Sequence, residues 1–196
     1  MSEYIRETLA ECAQALAALQ ANDDAVQAIQ RAGETLAEAF GNGNRVYSCG
    51  NGGSMCDAMH FAEELSGRFR DDRPALAAAA ISDPGHLSCV ANDYGYEQVF
   101  SRYIEAHGRR GDVLVGISTS GNSANVLLAA TQARQQGLKV IALTGREGSK
   151  LDDVADIVIV TPGGQYADRV QELHIKVIHI LIESVERQLF SEQSGA

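Results

Sequence analysis

Five short apolar runs, at 45–49, 76–81, 113–117, 139–143 and 157–160, alternate along this chain with longer helical patterns. None of the runs alternates polar with apolar residues, so each strand is expected to be covered on both faces, as parallel strands between two helical layers are. The intervening helices are expected near 54–69, 97–107, 122–136 and 166–190. This rhythm predicts an α/β three-layer sandwich around a five-stranded parallel sheet. Upstream, residues 2–20 and 24–40 are rich in Ala, Leu, Gln and Glu, and Ile5, Leu9, Cys12, Leu16 and Leu19 recur at three- and four-residue steps. They read as two N-terminal helices, the second stopped by Gly41-Asn42-Gly43-Asn44. Without a Pro/Gly/Ser-rich break, the 196 residues read as one domain, 1–196, with 1–41 a helical extension and 42–196 the α/β core. A sheet covered on both faces leaves no place for that extension, so it is expected to pack partly against other subunits.

The net charge of −10 and the absence of a Lys/Arg run exclude nucleic acid or an anionic membrane as a partner held by a basic patch. Cys12, Cys49, Cys56 and Cys89 form no CxxC pair and no metal-finger spacing, which predicts reduced thiols and a cytoplasmic protein. Acids near the N-terminus argue against a secretion signal. The most apolar helical stretch, 170–190, is interrupted by Glu172, His174, Lys176, His179, Glu183, Glu186 and Arg187, so it does not read as a membrane span.

Two segments carry the chemistry. Ser48-Cys49-Gly50-Asn51-Gly52-Gly53-Ser54 and Gly116-Ile117-Ser118-Thr119-Ser120-Gly121-Asn122-Ser123 each follow an apolar run and open a helical pattern. Small side chains, free N–H groups and hydroxyls at a helix N-terminus favour an anion, so the pair suggests a phosphorylated small molecule. The first loop has Met55 where a dinucleotide fingerprint needs its third glycine, and neither loop ends in Gly-Lys-Ser/Thr, so no nucleotide cofactor is expected. By itself the first loop is equally consistent with a plain strand-to-helix connection. The second is more specific, because an ordinary N-cap needs one or two hydroxyls and this turn has four. With strand order 2-1-3-4-5, both loops would flank the point where the order reverses, where open α/β sheets bind ligands.

On the helix after the first loop, His60, Glu64 and Arg68 are spaced to project from one face, either as a site or as a surface ion-pair ladder. On the last helix, Gln171 and His179 lie on broadly the same side, with His174 off it; His179 sits among apolar residues, where a ring needs a polar partner. Asn92-Asp93-Tyr94-Gly95-Tyr96 reads as a turn after the second strand, within reach of a sugar hydroxyl. His86 and His107 fall in or beside predicted loops and receive no role.

With these residues assembled, the chain resembles the sugar isomerase (SIS) domain family over about residues 9–189, and combining the loops with His60, Glu64, Gln171 and His179 narrows the resemblance to its heptose-phosphate branch. Further carrying pieces are Asp57-Ala58-Met59-His60-Phe61-Ala62-Glu63-Glu64-Leu65, Ala91-Asn92-Asp93, Ala142-Leu143-Thr144-Gly145 and Ala167-Asp168-Arg169-Val170-Gln171-Glu172-Leu173-His174. The resemblance implies the SIS fold with flavodoxin-like strand order. It implies an aldose–ketose isomerase converting D-sedoheptulose 7-phosphate to D-glycero-D-manno-heptose 7-phosphate through an enediol(ate), at the entry to ADP-heptose for the lipopolysaccharide core. By the same resemblance, Glu64 is the base and His179 its acid/base partner. Ser118, Thr119, Ser120 and Ser123 hold the phosphate, while Asn51, Gly52, Gly53, Asn92, Asp93 and Gln171 orient the sugar, with Glu64 also at the substrate. Arg68 and Asp168 are possible helpers. The family further implies zinc at His60, Glu64, Gln171 and His179, and a homotetramer with active sites at subunit interfaces. Two other functions fit the loops: a non-enzymatic SIS-domain protein binding the replication initiator DnaA, and an isomerase of another sugar phosphate. The carboxylate of Glu64 favours the enzyme.

Overall fold

A computed structural model describes residues 2–164 and 166–190; Met1, Gln165 and residues 191–196 lie outside the described part. Two helices, α1 (Glu3–Ala21) and α2 (Asp23–Gly41), precede β1 (Val46–Gly50), α3 (Gly53–Ser66) and β2 (Ala78–Ala80). Next come α4 (Pro84–Tyr94), a 3-10 turn (Tyr96–Gln98) and α5 (Val99–His107), then β3 (Val113–Ser118), α6 (Ala124–Gln136), β4 (Lys139–Thr144), β5 (Ile157–Val160) and α7 (Ala167–Phe190).

The strands form one parallel sheet in the order β2-β1-β3-β4-β5, as the apolar runs predict. Because side chains alternate across a strand, each strand feeds two cores. Val46, Val113, Val115, Ile117, Ile141, Leu143 and Ile159 pack with α2, α3 and α7 on one face. Tyr47, Cys49, Leu114, Val140 and Ala142 pack with α4, α5 and α6 on the other. The chain leaves β1 outward to β2 and returns across it to β3, so the order reverses between β1 and β3.

Three expectations are corrected. The N-terminal pair is not one extension: α2 buries Ala25, Ala28, Ile29, Ala32, Leu36 and Ala37 in the first core, beside α7. Only α1 stands apart, with Leu19 its one buried residue and Tyr4, Ile5, Leu9 and Leu16 between 42% and 63% exposed. The stretch 84–94 is a helix, capped by the Asp83 side chain accepting from the His86 N–H at 2.7 Å and begun by Pro84. His86 and His107 therefore lie on helices, and the His86 ring meets the Val99 carbonyl at 2.8 Å. Finally, α3 stops at Ser66, one turn before the expected 69. Among the described residues no helix is long and apolar enough to cross a membrane.

Candidate active site

Parallel pairing sets Gly50 beside Ile117, so the two polar loops leave the same edge of the sheet side by side. The first depends on glycine. A Cβ on Gly50 would lie 2.6 Å from the Ser54 carbonyl oxygen, and Gly52 takes φ +56°, where side chains are strained. The turn closes as Ser54 N–H donates to Asn51 O at 3.1 Å and Met55 N–H to Gly52 O at 3.0 Å. Gly53 then opens α3, and a Cβ there would sit 2.7 Å from Gln171 Nε2, so the Gln171 amide lies against the start of that helix.

In the second loop Ser123 occupies the N-cap of α6 but does not cap it; its hydroxyl bonds that of Ser118 at 2.9 Å. Ser118 Oγ also lies 3.4 Å from Ser120 Oγ, which accepts from the Asn122 N–H at 3.2 Å. Three serine hydroxyls thus converge in front of a helix N-terminus, an arrangement that suits a phosphate better than a simple cap. The Thr119 carbonyl accepts from Gly145 N–H at 3.1 Å, fastening the loop to the end of β4.

The proton-transfer candidates come from α3 and α7, which run parallel: Gly53 faces Gln171 at one end, and His60 faces His179 farther along. The His60 and His179 Nε2 atoms are 2.9 Å apart, with the rings edge to face. Glu64 Oε1 is 3.7 Å from His60 Nε2 and Glu63 Oε1 is 3.0 Å from His60 Nδ1. A carboxylate only accepts, so Nδ1 carries the proton; in the neutral ring Nε2 is then a lone pair, accepting from the Nε2–H of His179. Burial lowers the pKa of His179, a protonated His60 beside it would lower it further, and Glu64 opposes both. One turn upstream of His60, Asp57 Oδ2 is buried without a hydrogen-bond partner among the described residues, and burial pushes this carboxyl up to about 6.

The end of α3 is held by an arginine that sequence reasoning missed. Arg73, its side chain 3% exposed, donates to the carbonyls of Glu64 and Leu65 at 2.7 Å and of Gly67 at 3.1 Å, and pairs with Glu186 of α7 at 2.9 Å. The Glu64 and Leu65 carbonyls are in the last turn, which has no intrahelical donors for them, and Leu65 also accepts from the Leu76 N–H at 3.0 Å. Because the helix stops here, Arg68 is exposed beyond it and does not share a helical face with His60 and Glu64, which corrects the expected ladder.

His60, Glu64 and His179 therefore converge, whereas Gln171 lies roughly two helical turns from the histidine pair, beside the first loop. Asn92 and Asp93, expected in a turn, occupy the last turn of α4, exposed and hydrogen-bonded to each other at 2.7 Å. Two residues beyond that helix, Tyr96 donates to Asn51 Oδ1 at 3.3 Å and ties the segment to the first loop. Asp168 is exposed and pairs with Arg169 at 3.4 Å. Of the residues missed, Glu63 had a visible signal in its three-residue step from His60; Arg73 and Asn125, which bonds Asn51, had none.

Residues 8–145 match the SIS domain family. The chain is 58% identical over 187 residues to a phosphoheptose isomerase of Aeromonas hydrophila subsp. hydrophila, covering 95% of this chain and 97% of that protein. Its fold superimposes on the phosphoheptose isomerase GmhA from Neisseria gonorrhoeae with TM-score 0.87 at 39% identity, over 94% of this chain and 98% of that one. A phosphoheptose isomerase from Francisella tularensis gives TM-score 0.88 at 33% identity, over 94% and 97%.

Proposed function

The chain belongs to the SIS domain family and to its phosphoheptose isomerases, and from that premise we propose that it interconverts D-sedoheptulose 7-phosphate and D-glycero-D-manno-heptose 7-phosphate. The observation that carries the chemistry is the convergence of Glu64 and His179 on His60. Ser118, Thr119, Ser120 and Ser123 grip the phosphate at the α6 N-terminus. Asn51, Gly52, Gly53, Asn92, Asp93 and Gln171 orient the sugar chain.

Glu64 takes a proton from C1 of the ketose. The C–H electron pair becomes the C1–C2 double bond, and charge develops on O2. His179, whose pKa burial lowers, moves a proton from O1 to O2. Returning the carbon-bound proton at C2 leaves the aldose, with no net redox change. Within the chain, His60 with the Glu63 and Glu64 carboxylates forms a donor group that could hold a metal ion; the family resemblance would place zinc at His60, Glu64, Gln171 and His179, of which Gln171 lies away from the others, against Gly53. Bound there, zinc would polarise the carbonyl and stabilise the enediolate.

The chain acts as a homotetramer with active sites at subunit interfaces. Two features support this: Met59 and Ile180, neighbours of the histidine pair, are 47% and 46% exposed, and the apolar residues of α1 lie open. The product feeds ADP-heptose synthesis for the lipopolysaccharide core, in the cytoplasm. The test is to follow aldose formation from sedoheptulose 7-phosphate. Glu64→Gln and His179→Gln are each expected to slow it at least about a hundredfold; unchanged rates in both would refute the assignment. Zinc content of chelator-free protein, lost on His60→Ala, checks the metal, and sedimentation velocity checks the tetramer.

A further inference from the structure

The first and second loops meet through one pair of side-chain amides. Asn51 Nδ2 donates to Asn125 Oδ1 at 2.9 Å, and Asn125 Nδ2 donates back to Asn51 Oδ1 at 2.8 Å. Asn125, near the start of α6, is only 4% exposed. Its Oδ1 also accepts from the Val126 N–H at 3.0 Å, which fixes which end of the Asn125 amide faces Asn51. That choice in turn sets the orientation of Asn51, and the Tyr96 hydroxyl, donating to Asn51 Oδ1 at 3.3 Å, agrees with it.

An amide oxygen has two lone pairs and an amide nitrogen two protons. Both acceptor sites of Asn51 Oδ1 are taken, by Asn125 and Tyr96, and one of its two N–H groups is taken by Asn125. A single N–H remains. Asn51 can therefore meet a sugar only as a donor to an oxygen.

We propose that Asn125, assisted by Tyr96, is a positioning residue: it locks Asn51 as a one-proton donor held at a set distance from the phosphate-binding hydroxyls of the second loop. The inference rests on the reading that Asn51 orients the sugar of a heptose phosphate. Reaction requires the carbon end of the substrate to be placed relative to its anchored phosphate, and a rigid cross-loop amide pair supplies that placement.

The experiment is a double-mutant cycle on Asn51→Ala and Asn125→Ala, read in kcat/KM for sedoheptulose 7-phosphate, with the affinity for inorganic phosphate measured alongside. Asn125→Ala is expected to lower kcat/KM roughly ten- to hundredfold while changing the phosphate Kd less than about twofold. The double variant should be no worse than Asn51→Ala alone. Tyr96→Phe alters a side chain that is 52% exposed, and is expected to raise KM about two- to fivefold. Additive losses in the cycle, or equal weakening of inorganic phosphate by Asn125→Ala, overturn the proposal, as does an unchanged KM in Tyr96→Phe. A wild type inactive on this substrate would refute the proposed function instead, and the same cycle read in sedoheptulose 7-phosphate affinity by calorimetry would then decide the amide lock.

Discussion

The two ends of the site are built by opposite means. At the proposed phosphate end, both loops issue from adjacent buried strands, and register, glycine geometry and a cross-loop amide pair fix their positions. At the proposed proton-transfer end, the candidate groups are side chains of two helices lying against each other, flanked by exposed Met59 and Ile180. An anion site needs many weak donors in a preformed cradle, so it belongs where backbone is most rigid. Acid–base groups need tuned surroundings, which side chains on packed helices can supply.

The contrast breaks most readily at the proton-transfer end. Glu64→Gln is expected to lower kcat at least about a hundredfold with KM within about threefold, because the change removes a step and not a grip. Steady-state kinetics that instead put the loss in KM would merge the two ends. Next in size is Arg73→Met, which leaves the Glu64 and Gly67 carbonyls without their Arg73 donor, leaves Leu65 with only the Leu76 N–H, and leaves Glu186 without its partner. It is expected to cost about 2–4 kcal/mol in urea unfolding and to lower kcat, while affinity for inorganic phosphate survives. Ser118→Ala with Ser123→Ala should do the reverse, raising KM about ten- to thirtyfold, roughly 1–2 kcal/mol, with kcat nearly kept.

The smallest effect concerns His174, fully buried on α7, with neither ring nitrogen hydrogen-bonded among the described residues although the Thr144 carbonyl lies nearby. Burial lowers its pKa from 6.5 to about 4. The unfolded chain therefore binds a proton here that the folded chain refuses, so stability is full above the ordinary value and falls as the pH drops toward the folded one. Asp57, raised from 3.8 to about 6, acts with the opposite sign over much of that interval, since its folded form takes the proton first. Comparing His174→Phe with wild type cancels the Asp57 contribution. Between pH 7 and 5.5 the wild type should lose about 1 kcal/mol relative to the variant, measured by thermal or urea unfolding. Parallel curves would show that the buried ring does not titrate differently on folding.

Much of the fold was legible because it rests on local patterns. Unalternated runs marked all five strands, and the two polar loops fell at the order reversal. Helix α4 was hidden because Asp83-Pro84-Gly85 and Asn92-Asp93-Tyr94-Gly95 use residues that turns also favour; only Asp83 as an N-cap followed by Pro84 pointed the other way. The end of α3 was misjudged for a different reason: the helix pattern continues toward Phe69, but Arg73 collects its last carbonyls from outside. The amphipathic stripe of α2 was visible, yet nothing in its period said that α7 would be its partner.

The amino-acid order alone determined the α/β architecture, the strand-end loops and the residue types able to take up a phosphate and move a proton, because these follow from periodicity and side-chain chemistry over a few residues. Tertiary structure decided that His60 meets His179 across 119 positions, that Gln171 rests on Gly53, and that Asn51 is locked by Asn125 across 74. Such pairings depend on how helices and strands stack, and no local period records them.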